Sequence, residues 1–176
     1  MKTQLCLFAL LLSFALMFTA YGQGAKKART IDDYHPRTLK ELSSLVPENI
    51  ASSPEYKAAQ SENLRIIVHA DELPSRMKVT YEGTTRPLHE NRKSVIKQWA
   101  DRLAGAPEFY TAPYETEALF TENGENYWLG VRTEFLPKFP QELKKGDAIE
   151  LFVIKLGNIR IDNKLEPVIL VEKYIK

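Results

Sequence analysis

The sequence predicts an α+β domain built on a mostly antiparallel small β-barrel or strongly curved sheet, with about six or seven strands, one helix inserted among them and one before them. Three observations carry this. From Leu64 onward apolar residues alternate with polar ones at a period of two. A single block, Val95, Ile96, Trp99, Ala100 and Leu103, recurs instead at helical spacing. Finally Asn123-Gly124 sits between two alternating runs, and that pair is the residue choice of a two-residue hairpin turn.

Taken in order, Gln23 to Thr30 is a short, basic, polar lead-in. Thr38 with Glu41 three residues later has the spacing of a capping box. Leu39, Leu42, Leu45 and Val46 then share one face, which predicts a helix over 39–46 stopped by Pro47. Residues 47–63 hold Pro47, Pro54 and several serines and read as a connecting loop, so 23–63 forms an N-terminal extension and 64–176 a single domain. Ile66 and Val68 mark a first strand and Met77, Val79 and Tyr81 a second, paired across a turn at Asp71 to Ser75 and ended by Gly83 to Pro87. The inserted helix follows, with Trp99 as its buried anchor, and Gly105 and Pro107 end it.

Asn123-Gly124 sets a register in which Glu122 faces Glu125. Phe120 then faces Tyr127, Ala118 faces Leu129 and Thr116 faces Val131 on one side, with Leu119 opposite Trp128 on the other. The Phe120 side is the better core face. Pro137 and Pro140 interrupt the chain, Gly146-Asp147 launches a strand from Ala148 to Leu156, and Gly157-Asn158 is expected to turn it. A short strand at 158–161 and a last one from Val168 to Tyr174, after Pro167, complete the order.

The segment Glu115 to Tyr174, with its long hairpin, Leu143-Lys-Lys-Gly146-Asp147-Ala-Ile149-Glu-Leu151 and a final strand, resembles half of an OB-type or SH3-like barrel. A wider run is similar to small exported bacterial proteins of unassigned function. It comprises Lys78-Val-Thr-Tyr81-Glu-Gly83, Gln98-Trp99-Ala100, Tyr127-Trp128-Leu129, Glu142 to Asp147 and Leu151 to Gly157. That resemblance implies an exported small barrel and brings no catalytic residues with it.

Export is also what the first residues imply. Leu5 to Phe18 is a mostly apolar run behind Lys2, shorter than the roughly 20 residues a membrane-spanning helix needs. It ends in Ala20-Tyr21-Gly22, which predicts a signal peptide of residues 1–22 cleaved before Gln23 and a periplasmic or secreted product without a transmembrane segment. Cys6, the single cysteine, would leave with it, removing thiol nucleophiles, disulfides and zinc-thiolate sites from the mature chain. Lys2 would leave too: 24 basic residues minus 1 balance 23 acidic ones. A neutral chain offers no global attraction for nucleic acid or anionic lipid, so nucleic acid is not an expected partner, and no cofactor is expected.

Few residues suggest chemistry. His69, Asp71 and Glu72 cluster where a strand enters a turn and are the candidate metal ligands or acid–base groups of a hydrolase. The same residues equally solvate a strand end, which is the preferred reading. His89-Glu90 could act as an acid–base pair, but Glu at a helix start is favoured by the helix dipole alone. His35 has no neighbouring nucleophile. If Phe120 faces the core, Trp128 and Leu119, with Tyr127 adjacent, become candidate ligand contacts on the outer face, but the preferred reading is that one of the two amphipathic helices, 39–46 or 95–103, covers them. The expectation is therefore a non-enzymatic exported binding or envelope-associated module whose partner is a protein, peptide or envelope glycan. The alternatives are a hydrolase or metal-dependent enzyme using His69, Asp71 and Glu72, and an OB-like nucleic-acid binder, which the charge balance disfavours.

Overall fold

The computed structural model describes residues 29–45, 52, 66–68, 73–104, 113–161 and 164–176. Every element named below belongs to the unit Ile31–Lys176. In chain order these are β1 (His35–Pro36), α1 (Leu39–Ser44), β2 (Ile66–Val68), β3 (Ser75–Pro87), α2 (Glu90–Ala104), β4 (Thr116–Glu122), β5 (Glu125–Val131), α3 (Phe139–Glu142), β6 (Ala148–Ile161) and β7 (Lys164–Ile175). Single 3₁₀ turns lie at Ile31–Asp33 and Thr133–Phe135.

Hydrogen-bonded neighbours run β3–β4–β5–β7–β6 and return to β3, closing a five-stranded barrel. Within it every pair is antiparallel except β5 with β7. The α+β small barrel expected from the sequence is the fold, and closure leaves the barrel strands no long open edge. The strand at 66–68 forms where expected, but its partner is β6, through Ile66↔Ile159 and Val68↔Gly157, and not the strand that follows it. Both flanks of β3 are already occupied, by β6 along residues 75–80 and by β4 along 80–87. Nor does β3 stop at Gly83. The register with β4 jumps between Tyr81 and Thr85, so Gly83, at φ +70°, serves in a bulge within the strand. Gly157-Asn158 likewise does not turn the chain: β6 continues to Ile161, absorbing a register shift between Lys155 and Gly157.

The hairpin register is the expected one at every pair from Thr116↔Val131 to Glu122↔Glu125. Asn123 and Gly124 take φ of +52° and +80°. A Cβ on Gly124 would meet nothing within 4 Å. Gly124→Ala is therefore expected to lower stability through backbone strain alone, by about 1 kcal/mol in urea unfolding. A loss near zero would mean that the turn relaxes to another type. Gly130 serves closure differently, because a Cβ there would lie 2.7 Å from Leu170 Cδ2 across the parallel pair Gly130↔Leu170 that joins β5 to β7.

Two apolar clusters result. The barrel interior is filled by Met77, Val79, Tyr81, Ala118, Phe120, Leu129, Val131, Ile149, Leu151 and Val153, joined by Leu39 and Leu42 of α1 and by Phe135, Phe139 and Leu143 of the β5–β6 connection. Rings interlock here, with Tyr81 and Phe139 5.3 Å apart and Phe139 and Tyr174 5.2 Å apart in edge-on contacts. The second cluster sits where α2 lays Val95, Ile96, Trp99 and Ala100 against Ile154, Leu156, Ile159, Val168 and Leu170 of the long β6–β7 ribbon. Trp99 is buried, as its helical spacing predicts.

Six residues are too few for a helix to persist alone, so α1 depends on its docking. Thr38 and Glu41 form the expected capping box, with Glu41 N–H donating to Thr38 Oγ1 at 3.1 Å and Thr38 N–H to Glu41 Oε2 at 2.8 Å. Leu39 N–H donates to Glu122 Oε2 of the barrel at 2.7 Å. At the other end the fully buried Lys155 ammonium donates to the carbonyls of Leu42, Ser43 and Leu45 at 3.0, 2.8 and 2.8 Å. A carboxylate at the N-terminus and a cation at the C-terminus both match the helix dipole.

Candidate binding face

The β4–β5 hairpin sends alternate side chains to opposite faces, so the register that buries Phe120 and Leu129 turns Glu117, Leu119 and Trp128 outward. Leu119 and Trp128 are half-buried cross-strand partners. Among the described residues neither helix lays its apolar stripe over them: α1 contributes Leu39 and Leu42 to the barrel interior, and α2 packs on the β6–β7 ribbon. What lies over Trp128 is Arg86, whose Cζ is 3.8 Å from the ring centroid. Such a guanidinium stacked on indole is a favourable cation–π arrangement.

Arg86 is held in place by Glu117, a carboxylate with no solvent exposure. Arg86 Nε donates to Glu117 Oε1, and Arg92 Nη1, from the first turns of α2, donates to Glu117 Oε2 at 2.8 Å. Arg92 also donates from Nη1 to the Trp128 carbonyl at 2.6 Å and from Nη2 to Glu166 Oε2. Two guanidinium groups and two carboxylates thus alternate as Arg86, Glu117, Arg92 and Glu166, a chain of net charge zero. The Arg92 side chain is only 5% exposed and Glu117 not at all, so the inner part of this network is desolvated.

Beside Arg86 a groove of about 400 Å³ opens between the β3 bulge and the segment carrying α3, lined among others by Tyr81, Arg86, Thr116, Leu136, Phe139 and Pro140. A wider hollow of about 520 Å³ lies between α1 and the β3–β6 pair. Among the described residues it is lined by three cations, Arg37, Arg76 and Lys78, and two carboxylates, Glu41 and Glu150, and Arg37 is already engaged with the Pro74 carbonyl and Ser75 Oγ.

The residues singled out from the sequence fall as follows. Trp128 and Leu119 share the outer face. Tyr127 lies on the other face, against the barrel interior, with its hydroxyl donating to Glu125 Oε2 at 2.7 Å and its pKa raised by burial and by that carboxylate. His69, Asp71 and Glu72 lie outside the described residues. His89 is exposed and starts α2: its Nδ1 accepts the Asn91 N–H at 3.2 Å, and its carbonyl accepts from Arg92 and Lys93. Glu90 pairs with Lys93 at 2.9 Å, a structural role consistent with the first turn of a helix. His35 is exposed in β1. Among the described residues no three His, Cys, Asp or Glu side chains are grouped to hold a metal ion, and no helix is long and apolar enough to cross a membrane.

Sequence reasoning missed Arg86, Arg92 and Glu166. The one available signal was Glu117, a carboxylate that the hairpin register places on the same side as Leu119, beside an apolar pair, where a buried charge needs a cationic partner.

No family model matches the chain, and no solved structure matches it. Among curated proteins it is similar to endonuclease MutS2 of Clostridium tetani, with 24% identity over 151 residues, 84% of this chain and 19% of that protein. The chain spans about a fifth of the length of that relative.

Proposed function

We propose that this protein is an exported, OB-type binding module that engages a neutral partner, an envelope glycan or a peptide, on the outer face of β4 and β5. The observation that carries this reading is the half-buried Trp128–Leu119 pair, over which no helix lies among the described residues. The closure order supports the OB assignment: numbering the barrel strands along the chain gives 1-2-3-5-4-1, with strands 3 and 5 parallel, and OB barrels bind across strands 2 and 3. Those two strands are β4 and β5.

A neutral partner follows from the charges. Arg86 and Arg92 are offset by Glu117 and Glu166, so the face has no surplus to release counterions from a polyanion. The name of the Clostridium tetani relative raises nucleic acid as a competitor, and the same assay separates the two. Secreted protein beginning at Gln23 is titrated with soluble peptidoglycan fragments, with short uncharged peptides and with a single-stranded oligonucleotide, following tryptophan emission. Glycan or peptide is expected to shift emission saturably, and Trp128→Ala to weaken that binding at least tenfold, since stacking on an aromatic contributes about 1–3 kcal/mol. Salt-sensitive oligonucleotide binding lost in Trp128→Ala would replace this reading with the nucleic-acid one.

A further inference from the structure

The groove beside Arg86 carries a different charge pattern from the β4–β5 face. Among the described residues no acidic side chain lines it, and Arg86 is the one cation. Arg86 uses Nε on Glu117 and its plane on Trp128. Its two terminal nitrogens make no hydrogen bond or ion pair among the described residues, and the side chain is 45% exposed. Glu117 cannot compete for them, because its second oxygen is taken by Arg92. The guanidinium is therefore oriented on one side and open on the other, the state in which a planar fork accepts two oxygens of one carboxylate. Beside it lie Leu136, Pro140, Phe139 and the ring of Tyr81, together with the polar Thr85 and Thr116.

From this geometry we infer that the groove binds a monocarboxylate with an apolar body, the carboxylate on Arg86 Nη1 and Nη2 and the body against Leu136 and Pro140. Glu117 already offsets the charge of Arg86, so what the groove presents is the pair of terminal N–H donors, a fork that matches the two oxygens of one carboxylate. A phosphate dianion would need a second cation, and a neutral ligand would leave the fork unused. This inference goes beyond the binding-face proposal, since it uses the terminal nitrogens of Arg86 and the groove and does not require a ligand to touch the Trp128 ring.

The test compares phenylacetate, phenylacetamide and inorganic phosphate as probes of the secreted protein, followed by NMR at the Arg86 side-chain Nε–H and the backbone amides of 81–87 and 136–140. Phenylacetate is expected to shift these signals saturably, with phenylacetamide and phosphate at least tenfold weaker. Arg86→Gln is expected to erase the difference between acid and amide. Leu136→Glu, which leaves Arg86 and Trp128 in place and fills the groove with negative charge, is expected to abolish phenylacetate binding. Equal binding of acid and amide, phosphate matching phenylacetate, or an unchanged response in either variant would overturn the inference. Failure of Trp128→Ala to affect glycan or peptide binding would leave it standing.

Discussion

Glu117→Gln is expected to destabilise the protein by about 3 kcal/mol, because removing one partner of a buried pair leaves its counter-charge uncompensated. The substitution preserves shape, so packing changes little. Its cost comes from Arg92, 5% exposed, which keeps Glu166 but loses its buried carboxylate, and from Arg86, which loses the anchor over Trp128. For a folded unit of this size that is a fall in Tm of about 6–12 °C. The paired variant Glu117→Leu with Arg92→Met is expected to recover most of the loss, since an apolar pair of similar volume removes both charges from the interior together. Guanidinium unfolding of the single and paired variants checks this. A loss under about 1 kcal/mol in Glu117→Gln, the size of an exposed pair, would mean that the network is solvated and does not hold the face.

That network also shows where sequence reasoning stops. The hairpin could be read residue by residue because Asn123-Gly124 is local: two φ values set a register, and the register sets which side chains face inward. The capping box and the Trp99 stripe are local in the same sense. Pairing between distant strands is not, and alternation at 64–68 announces a strand without naming β6 as its partner. Gly83 and Gly157 mislead for a related reason, since a glycine that could end a strand can equally serve a bulge once both neighbours are in place. Arg86, Arg92, Glu117 and Glu166 lie on β3, α2, β4 and β7, and only barrel closure makes them neighbours. Trp128 and Leu119 were legible as outward residues, but the guanidinium over the indole was not.

Lys155 supplies the other large effect, and its sign is opposite to that of an ordinary ion pair. Burial disfavours its charged form and pulls its pKa from the usual 10.5 down to about 8, even though two carbonyls of α1 and that of its C-cap Leu45 favour the ammonium. Below about pH 8 both folded and unfolded chains carry the proton, and the folded state bears a constant desolvation cost. Between about 8 and 10.5 the unfolded chain still holds a proton that the folded one has released. More protons on the unfolded side means that stability rises with pH, Lys155 by itself contributing about 2 kcal/mol between pH 7 and 10. The amine can still donate to α1 when neutral, so docking survives the titration. Above about pH 9.5 the trend reverses: Tyr81, Tyr114, Tyr127 and Tyr174 all have raised pKa values, that of Tyr174 reaching about 12, so their phenols stay protonated in the fold while unfolded tyrosines ionise. Glu41, Glu125 and Asp147, whose pKa values are lowered, act only in acid and leave this window flat. Guanidinium unfolding from pH 7 to 11 is therefore expected to give a stability maximum near pH 9.5, and Lys155→Met to remove the rise whatever its own baseline stability. A flat wild-type profile, or a rise that persists in Lys155→Met, would show that the ammonium is hydrated and that α1 is not held by a buried charge.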